Sequence, residues 1–310
     1  MKPPQEVRTK VSLGGGLTLR NPIMTASGTF GYGLEYEPFL DLQRLGGIVV
    51  KGISRDPRAG NPPPRLVQTP SGMLNAIGLQ NIGVARFIEE KLPRLRERDT
   101  ALLVNIYGHG VADYVAVADA LEQESGINGI ELNLSCPNVK AGGVLIGKSP
   151  RAIEEVTRAV RDVTQRPLWV KLTPNVTEIA DMARAAEAGG ADALSLVNTY
   201  VGMVVDIESR RPVLSNRIGG LSGPAIRPLA IAAVDQVHHA VKLPLVGIGG
   251  ITCARDVVEF LLVGARAVQI GTASYNDPGV AGRIADELEQ WCIARGVRDV
   301  NELVGALETP

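Results

Sequence analysis

Short apolar runs alternate with longer segments of helical periodicity along most of the chain. A glycine-rich segment near the start, Val11–Leu19, predicts a small β-hairpin. The apolar runs that follow are short and apolar on both faces, which is typical of parallel strands covered on two sides. They predict eight strands: Ile23–Ala26, Ile48–Lys51, Leu102–Ile106, Ile130–Leu134, Leu168–Leu172, Ala193–Val197, Leu245–Ile248 and Ala267–Ile270.

The segments between these runs place apolar residues on one helical face. Pro150–Thr164 has this periodicity, and Glu178–Ala188 has it up to a pair of glycines. Val257–Leu262 follows Asp256 and ends near Gly264, which is a plausible helix stop. Strands therefore alternate with helices through most of the sequence.

Such alternation fits a closed (β/α)8 barrel or an open, doubly wound sheet. A dinucleotide-binding open sheet requires a Gly-x-Gly-x-x-Gly motif after the first strand, and this sequence has none there. The α/β class with a TIM barrel is therefore favoured, as a single domain over residues 1–310. A long segment after the second strand, with the Pro-rich Arg58–Arg65 and then Gln68–Asn81, predicts a functional covering loop.

Composition narrows the classes of function. The net charge is −1 and aromatic residues are 4%, which argues against a nucleic-acid-binding surface. No apolar run approaches the ~20 residues of a membrane span, and no signal peptide opens the chain, so a cytoplasmic protein is expected. The three cysteines, Cys136, Cys253 and Cys292, are too few and too widely spaced for a metal or iron–sulfur site in this chain. Cys253 and Cys292 are predicted to be small buried hydrophobes.

Ligands of TIM barrels bind at the carboxyl ends of the strands. The predicted strands end in residues that can donate hydrogen bonds or bring the backbone close to a ligand: Ser27-Gly28, Lys51-Gly52, Asn105, Asn133 to Cys136, Lys171, Asn198-Thr199, Gly249-Gly250 and Gly271-Thr272. Two lysines facing one cavity would stabilise negative charge on a ligand. Either lysine alone could also form a Schiff base or extend to solvent.

The glycine pairs have a more specific interpretation. Loops after the last two barrel strands often bind phosphate through exposed N–H groups. Gly219–Pro224 follows the sixth strand and opens a helix, so it could add further donors. A single glycine pair is most simply a turn, but three such loops in this order predict a phosphate-bearing ligand.

Cys136 lies in a polar loop at the end of the fourth strand. A cysteine in such a position can act as a base or a nucleophile, or it can be structural. His109 follows the third strand, and His238-His239 fall late in a helix, so the sequence offers no strong histidine partner. Proton abstraction from carbon is therefore favoured over acyl transfer, with a structural role still open.

At this point the motifs resemble a known family. Asn133-Leu134-Ser135-Cys136-Pro137-Asn138, followed by Val139-Lys140-Ala141-Gly142-Gly143, resembles the catalytic loop of family 1 dihydroorotate dehydrogenases. Asn75-Ala76-Ile77-Gly78-Leu79-Gln80-Asn81 resembles their substrate loop. The glycine motifs match in order, so the resemblance extends from Asn21 to about Pro278.

The resemblance implies a barrel that binds FMN at the strand ends. It implies FMN contacts from Ser27, Lys51, Gly52, Asn105, Asn133, Lys171, Val197, Gly223, Gly249, Gly250, Gly271 and Thr272. It implies contacts with the pyrimidine from Lys51, Asn75, Ala76, Ile77, Gly78, Leu79, Asn133, Asn198 and Thr199. Cys136 would take the proton from the substrate as hydride leaves the neighbouring carbon for the flavin, giving orotate for UMP synthesis.

The sequences of the two loops resemble those of the NAD-linked subclass B more than those of the fumarate-using subclass A. A cysteine base argues against the membrane-bound family 2, which has serine there. Subclass B enzymes pair a homodimer of catalytic subunits with two electron-transfer subunits that carry FAD and a 2Fe-2S cluster, so the resemblance implies such a heterotetramer. One departure from the family pattern is Ile146, where an aromatic residue is expected.

Other interpretations stay open at this stage. They are a subclass A enzyme, a related flavin barrel acting on another dihydropyrimidine, a flavin-free Schiff-base lyase using Lys171, and a non-catalytic binding subunit. A dihydrouridine enzyme would need a tRNA-binding surface, which the net charge of −1 does not favour.

Overall fold

The computed structural model describes residues 6–134 and 146–308. The strands in these ranges are β1 (Val11–Ser12), β2 (Thr18–Leu19), β3 (Ile23–Thr25), β4 (Gly47–Ile53), β5 (Leu66–Thr69), β6 (Gly72–Asn75), β7 (Ala101–Ile106), β8 (Gly129–Asn133), β9 (Leu168–Lys171), β10 (Ala193–Leu196), β11 (Tyr200–Gly202), β12 (Val205–Asp206), β13 (Arg211–Pro212), β14 (Gly219–Ser222), β15 (Leu245–Ile248) and β16 (Ala265–Ile270).

The predicted TIM barrel is confirmed. Strands β3, β4, β7, β8, β9, β10, β15 and β16 follow one another around a closed barrel, and each pairs in parallel with its neighbours. All eight predicted strands are present, and the predicted N-terminal hairpin forms from β1 and β2. The strands are buried on both faces, with all residues of β9, β10 and β15 buried, as is typical of parallel strands covered on two sides.

Helices surround the barrel. They are α1 (Val84–Arg86), α2 (Leu92–Leu95), α3 (Val111–Glu122), α4 (Pro150–Arg161), α5 (Ile179–Ala188), α6 (Arg227–His238), α7 (Ala254–Leu262), α8 (Ala273–Asn276) and α9 (Val280–Arg295), and a π-helical turn, Phe87–Lys91, joins the first two. Short 3-10 turns cover Leu34–Tyr36, Leu42–Arg44, Ile146–Lys148, Pro224–Ile226 and Val300–Leu303. Among the described residues, no helix combines the length and the apolar character needed to cross a bilayer.

Two helix boundaries differ by three residues from the sequence prediction, and α5 begins one residue later than predicted, with Glu178 as its N-cap. Helix α7 begins at Ala254, because Cys253 is its N-cap and Asp256 accepts hydrogen bonds from the amides of Thr252 and Cys253. Asp256 is therefore inside the first turn. Helix α4 ends at Arg161, since Thr164 turns away and donates to Glu122. Cys292 is buried as predicted, whereas Cys253 is only half-buried.

A four-stranded antiparallel sheet, which we call the cap sheet, forms from β5, β6, β14 and β11. It joins β5 and β6, from the long segment after the second barrel strand, to β11 and β14, from the segment after the sixth. The predicted covering loop therefore contains a hairpin. The glycine segment Gly219–Ser222 is strand β14, and a 3-10 turn separates it from α6, which corrects the expectation that it opens a helix directly.

Candidate active site

A cavity of about 700 Å³ opens where the barrel strands end, and the cap sheet forms part of its wall. This volume lies within the range of small-molecule and cofactor sites. Most of the predicted ligand contacts line it: Ser27, Lys51, Gly52, Asn75, Ala76, Ile77, Gly78, Leu79, Asn133, Lys171, Val197, Asn198, Thr199, Gly223, Gly249, Gly250, Gly271 and Thr272. The structure thus gathers residues from strand ends spread over most of the chain.

The three glycine loops converge at one end of this cavity. Thr272 donates from its hydroxyl to the Ser222 hydroxyl at 2.8 Å, which joins the loop after β16 to the end of β14. Gly250 has φ +72°, and a Cβ there would lie 2.8 Å from the carbonyl oxygen of Gly223. Within the described ranges, the amides of Gly250 and Thr272 donate to no backbone or side-chain acceptor. Free amides in tightly apposed glycine loops suit an anion such as phosphate.

The two lysines lie in different surroundings. Lys51 lies in the second barrel strand, two residues before the end of β4, and is half-buried. Burial lowers the pKa of Lys51, the Arg65 guanidinium lowers it further, and the Glu35 carboxylate acts in the opposite direction. Lys171 is only 4% exposed, and its Nζ lies 3.8 Å from Oε1 of Glu131. Both lysines line the cavity.

A buried polar cluster, formed by Asn105, Glu131, Ser195 and Gln269, lies beneath the cavity inside the barrel. None of its members is accessible to solvent. Glu131 accepts hydrogen bonds from the side chains of Asn105 (2.6 Å), Ser195 (2.7 Å) and Gln269 (2.7 Å).

Asn105 belongs to this cluster and does not line the cavity, although its Oδ1 comes within 2.8 Å of a Cβ built on Gly52. Its contact with FMN stays a prediction. The roles of Glu131, Ser195 and Gln269 were missed in the sequence, where one available signal was a charged residue within the apolar run Ile130–Leu134.

The predicted substrate loop, residues 75–79, is held from both sides. The backbone N–H of Asn61 donates to the Ile77 carbonyl (2.9 Å), and its side-chain amide donates to the Ala76 carbonyl (2.8 Å). Asn81 is buried and donates to the Leu79 carbonyl. Leu79 has φ +56°, a rare conformation for a side chain of this kind. The loop is therefore fixed in one shape, by asparagines that the motif alone did not distinguish.

The opposite wall carries Asn198 and Thr199. Asn175 donates to the Thr199 carbonyl at 2.9 Å and accepts from the Val201 amide at 2.9 Å, which anchors the start of β11. Asn75 donates to the Gly220 carbonyl at 3.3 Å across the β6–β14 pairing. The two walls of the cavity are thereby joined through the cap sheet.

Cys136 and its loop, residues 135–145, lie outside the described residues. Leu134 and Gly147, near the two ends of that segment, both line the cavity. Asn133 accepts a hydrogen bond at its carbonyl from the Tyr114 hydroxyl (2.8 Å). Ile146, the departure from the expected aromatic, is buried in the main hydrophobic core.

The site fits an elongated, phosphate-bearing cofactor that gains negative charge. Its glycine loops offer free amides at one end, and Lys171 faces the cavity from the barrel interior. Because Lys171 is buried, water screens its charge less, which strengthens its effect on any charge that develops nearby.

Comparison with known proteins agrees with the motifs. The profile of the dihydroorotate dehydrogenase family matches residues 9–292. A protein of Citrifermentans bemidjiense named dihydroorotate dehydrogenase B (NAD(+)), catalytic subunit, is 56% identical over 94% of this chain and 96% of its own. Proteins of the same name from Desulforudis audaxviator and Trichlorobacter lovleyi are 54% and 52% identical, over 97% and 99% of this chain and 98% and 100% of theirs.

A solved structure has the same fold. The crystal structure of a dihydroorotate dehydrogenase from Eimeria tenella in complex with ferulenol superposes with a TM-score of 0.78, covering 99% of this chain and 90% of that chain. At 23% identity this likeness concerns the fold alone. The profile match and the relatives above 50% identity confirm the predicted family, and the chain belongs to the dihydroorotate dehydrogenases.

Proposed function

We propose that this chain oxidises dihydroorotate to orotate in the cytoplasmic synthesis of UMP. The observation that carries the proposal is the cavity, where two lysines, an asparagine-rich wall and three glycine loops meet at the strand ends. Full-length relatives at 52–56% identity, named as dihydroorotate dehydrogenases, support the same reaction.

FMN is the cofactor proposed for this cavity. Its phosphate would be held by the converging loops, through Gly223, Gly249, Gly250, Gly271 and Thr272. Its ring would lie over the barrel and meet the remaining predicted contacts: Ser27, Lys51, Gly52, Asn105, Asn133, Lys171 and Val197. When bound, FMN supplies the acceptor for the substrate hydride. Lys171 would stabilise the negative charge that accompanies reduction.

The pyrimidine would lie between the substrate loop and the opposite wall. Amides from Asn75, Asn133 and Asn198 can hydrogen-bond the ring carbonyls and N–H groups, and Lys51 can pair with the substrate carboxylate. Cys136 would take the proton from the carbon next to the ring carbonyl. Orientation by several fixed groups places that carbon within reach of one base.

The proposed final electron acceptor is NAD, reached through a partner subunit with FAD and a 2Fe-2S cluster. The relatives are named NAD(+) enzymes and catalytic subunits, which supports an electron-transfer partner. A 2Fe-2S cluster commonly takes four cysteines, and this chain has three, widely spaced, so the cluster would lie on the partner. The proposed assembly is a homodimer of this chain with two such partners.

The test begins with the purified chain. We expect a yellow protein that releases one FMN per chain and forms orotate from dihydroorotate. NAD, fumarate and a quinone analogue are assayed in parallel, with and without the co-purifying subunit, and NAD is expected to serve only with it. A colourless protein inactive after addition of FMN would refute the proposal, and fumarate turnover by the chain alone would assign it to subclass A.

Cys136→Ser tests the base separately. A serine hydroxyl is far harder to deprotonate than a thiol, so turnover is expected to fall by about 10²- to 10⁴-fold, the usual contribution of general acid–base catalysis. FMN content should not change. Cys253→Ser is the matched control, because Cys253 is the N-cap of α7 and does not line the cavity, so this change should leave turnover intact. Equal turnover in both variants would remove Cys136 from the reaction.

A further inference from the structure

The buried carboxylate of Glu131 has no assigned role in the proposed reaction. It lies on β8 two residues before Asn133, so both side chains point to the same face of the strand, into the barrel. Asn133 lines the cavity, and Glu131 is one layer deeper and completely buried. A charge in that position is costly unless it is paired and hydrogen-bonded.

The surroundings of Glu131 meet that requirement from several strands at once. Donors reach it from β7 (Asn105), β10 (Ser195) and β16 (Gln269), all within 2.7 Å. The amide oxygens of Asn105 and Gln269 have no partner in the described part of the chain, so both amides turn their NH₂ groups to the carboxylate. The cluster is therefore arranged around an acceptor with negative charge.

Among the described residues, Lys171 supplies the one opposite charge within ion-pair distance of Glu131. Its side chain is 5% exposed, and among the ion pairs of the described residues Glu131 is its partner, with 3.8 Å between Nζ and Oε1. That separation is too long for a hydrogen bond. No described residue accepts a hydrogen bond from Nζ, so its N–H groups stay available to a ligand in the cavity.

We propose that Glu131 is a positioning residue that keeps the charged ammonium of Lys171 at the floor of the cavity, facing the flavin ring. The inference rests on the proposed function, because it takes FMN as the ligand above Lys171. Three neutral donors fix the carboxylate, the carboxylate compensates the buried ammonium, and the ammonium is left to stabilise reduced FMN. Glu131 thus acts on the cofactor through Lys171 and not by contact.

The test compares the midpoint potential of bound FMN in four proteins: the wild type, Glu131→Gln, Lys171→Met and the double variant. Glutamine keeps the shape of Glu131 but not its charge, so the buried ammonium loses the charge that compensates it and is no longer held beneath the flavin. Both single variants are expected to lower the potential by at least about 30 mV, which is tenfold in a two-electron equilibrium. In the Lys171→Met background, Glu131→Gln should cause no further shift.

Other outcomes overturn the inference. An increase in potential in Glu131→Gln would mean that the carboxylate acts directly as a negative charge near the flavin. An unchanged potential would leave it a purely structural role, and additive decreases would mean that it acts independently of Lys171. If Glu131→Gln does not fold, Glu131→Asp can replace it. Aspartate keeps the charge, but its shorter side chain holds the carboxylate farther from Lys171, so a smaller decrease in the midpoint potential is expected. No shift in that variant would also overturn the inference.

A matched control separates positioning from general loss of stability. Thr157→Val removes another fully buried polar group, on α4 outside the barrel, where the hydroxyl donates to the Ile153 carbonyl at 2.7 Å. It should lower the thermal midpoint without changing the flavin potential. Titration of the apoproteins with FMN gives the FMN affinity as a second readout. The affinity is expected to weaken in Glu131→Gln and to stay unchanged in Thr157→Val. A wild-type protein that binds no flavin would instead refute the proposed function.

Discussion

Gly250→Ala tests the proposed phosphate site most directly. Gly250 has φ +72°, and a Cβ there would lie 2.8 Å from the Gly223 carbonyl oxygen and 3.0 Å from the Arg227 amide nitrogen. Both contacts are with backbone atoms, so rotation of a side chain cannot relieve them. The methyl group therefore has to separate the loop after β15 from the loop after β14.

The size of the effect follows from two terms. A non-glycine residue in the left-handed region costs about 1–2 kcal/mol, which lowers the stability of the apoprotein. Displacement of an amide that donates to a charged phosphate costs about 1.5–3 kcal/mol more, in the bound state only. The second term corresponds to an FMN dissociation constant roughly 10- to 150-fold higher.

Gly296→Ala is the matched control. Gly296 has φ +73° at the end of α9, and a Cβ there would meet no atom within 4 Å. The cost of placing alanine in the left-handed region is therefore the same in both variants, whereas the loop is displaced in Gly250→Ala alone. Thermal unfolding of the apoproteins should show a loss of stability in both variants, larger in Gly250→Ala because its methyl group also displaces the loop. Fluorescence titration with FMN should give weaker binding in Gly250→Ala alone. Equal FMN affinities in the two variants would refute the assignment of the loop.

Two further predictions concern the substrate side. A Cβ at Gly78 (φ +76°) would lie 2.6 Å from the Asn61 backbone nitrogen, so Gly78→Ala should raise KM for dihydroorotate by roughly 5- to 150-fold, for a strain of about 1–3 kcal/mol, with FMN content unchanged. An unchanged KM would separate this loop from substrate binding. Lys51→Met should abolish most turnover yet raise the thermal midpoint of the apoprotein, because burial and Arg65 lower the pKa of Lys51. Between that lowered pKa and the ordinary lysine pKa the unfolded chain binds more protons, so wild-type stability rises with pH there, and unfolding curves of Lys51→Met should lose that slope.

The barrel could be predicted because its information is local. Each of the eight strands is a short apolar run, and parallel strands covered on both faces require such runs. Helix starts were less certain for a physical reason. Asp256 resembles an N-cap by residue type, but its carboxylate accepts from the amides before it, which places the cap at Cys253.

The cap sheet could not be predicted from local pattern. Strand β14 contains Gly219 and Gly220, and glycine has low strand propensity. It forms because β6, more than 140 residues earlier, pairs with it from Asn75 to Gly220. That pairing depends on where the barrel brings the two segments, so it is a consequence of the tertiary fold.

The polar cluster beneath the cavity falls between these cases, since strand alternation could have revealed it. Side chains two residues apart on a barrel strand point the same way, so the residue two before a ligand contact lies directly beneath it. That step leads from Asn133 to Glu131, from Val197 to Ser195 and from Gly271 to Gln269, which are three of the four cluster members. From Lys51 it leads to the apolar Val49. The strand ends therefore identify what touches the ligand, and the layer beneath determines the charge that the ligand meets.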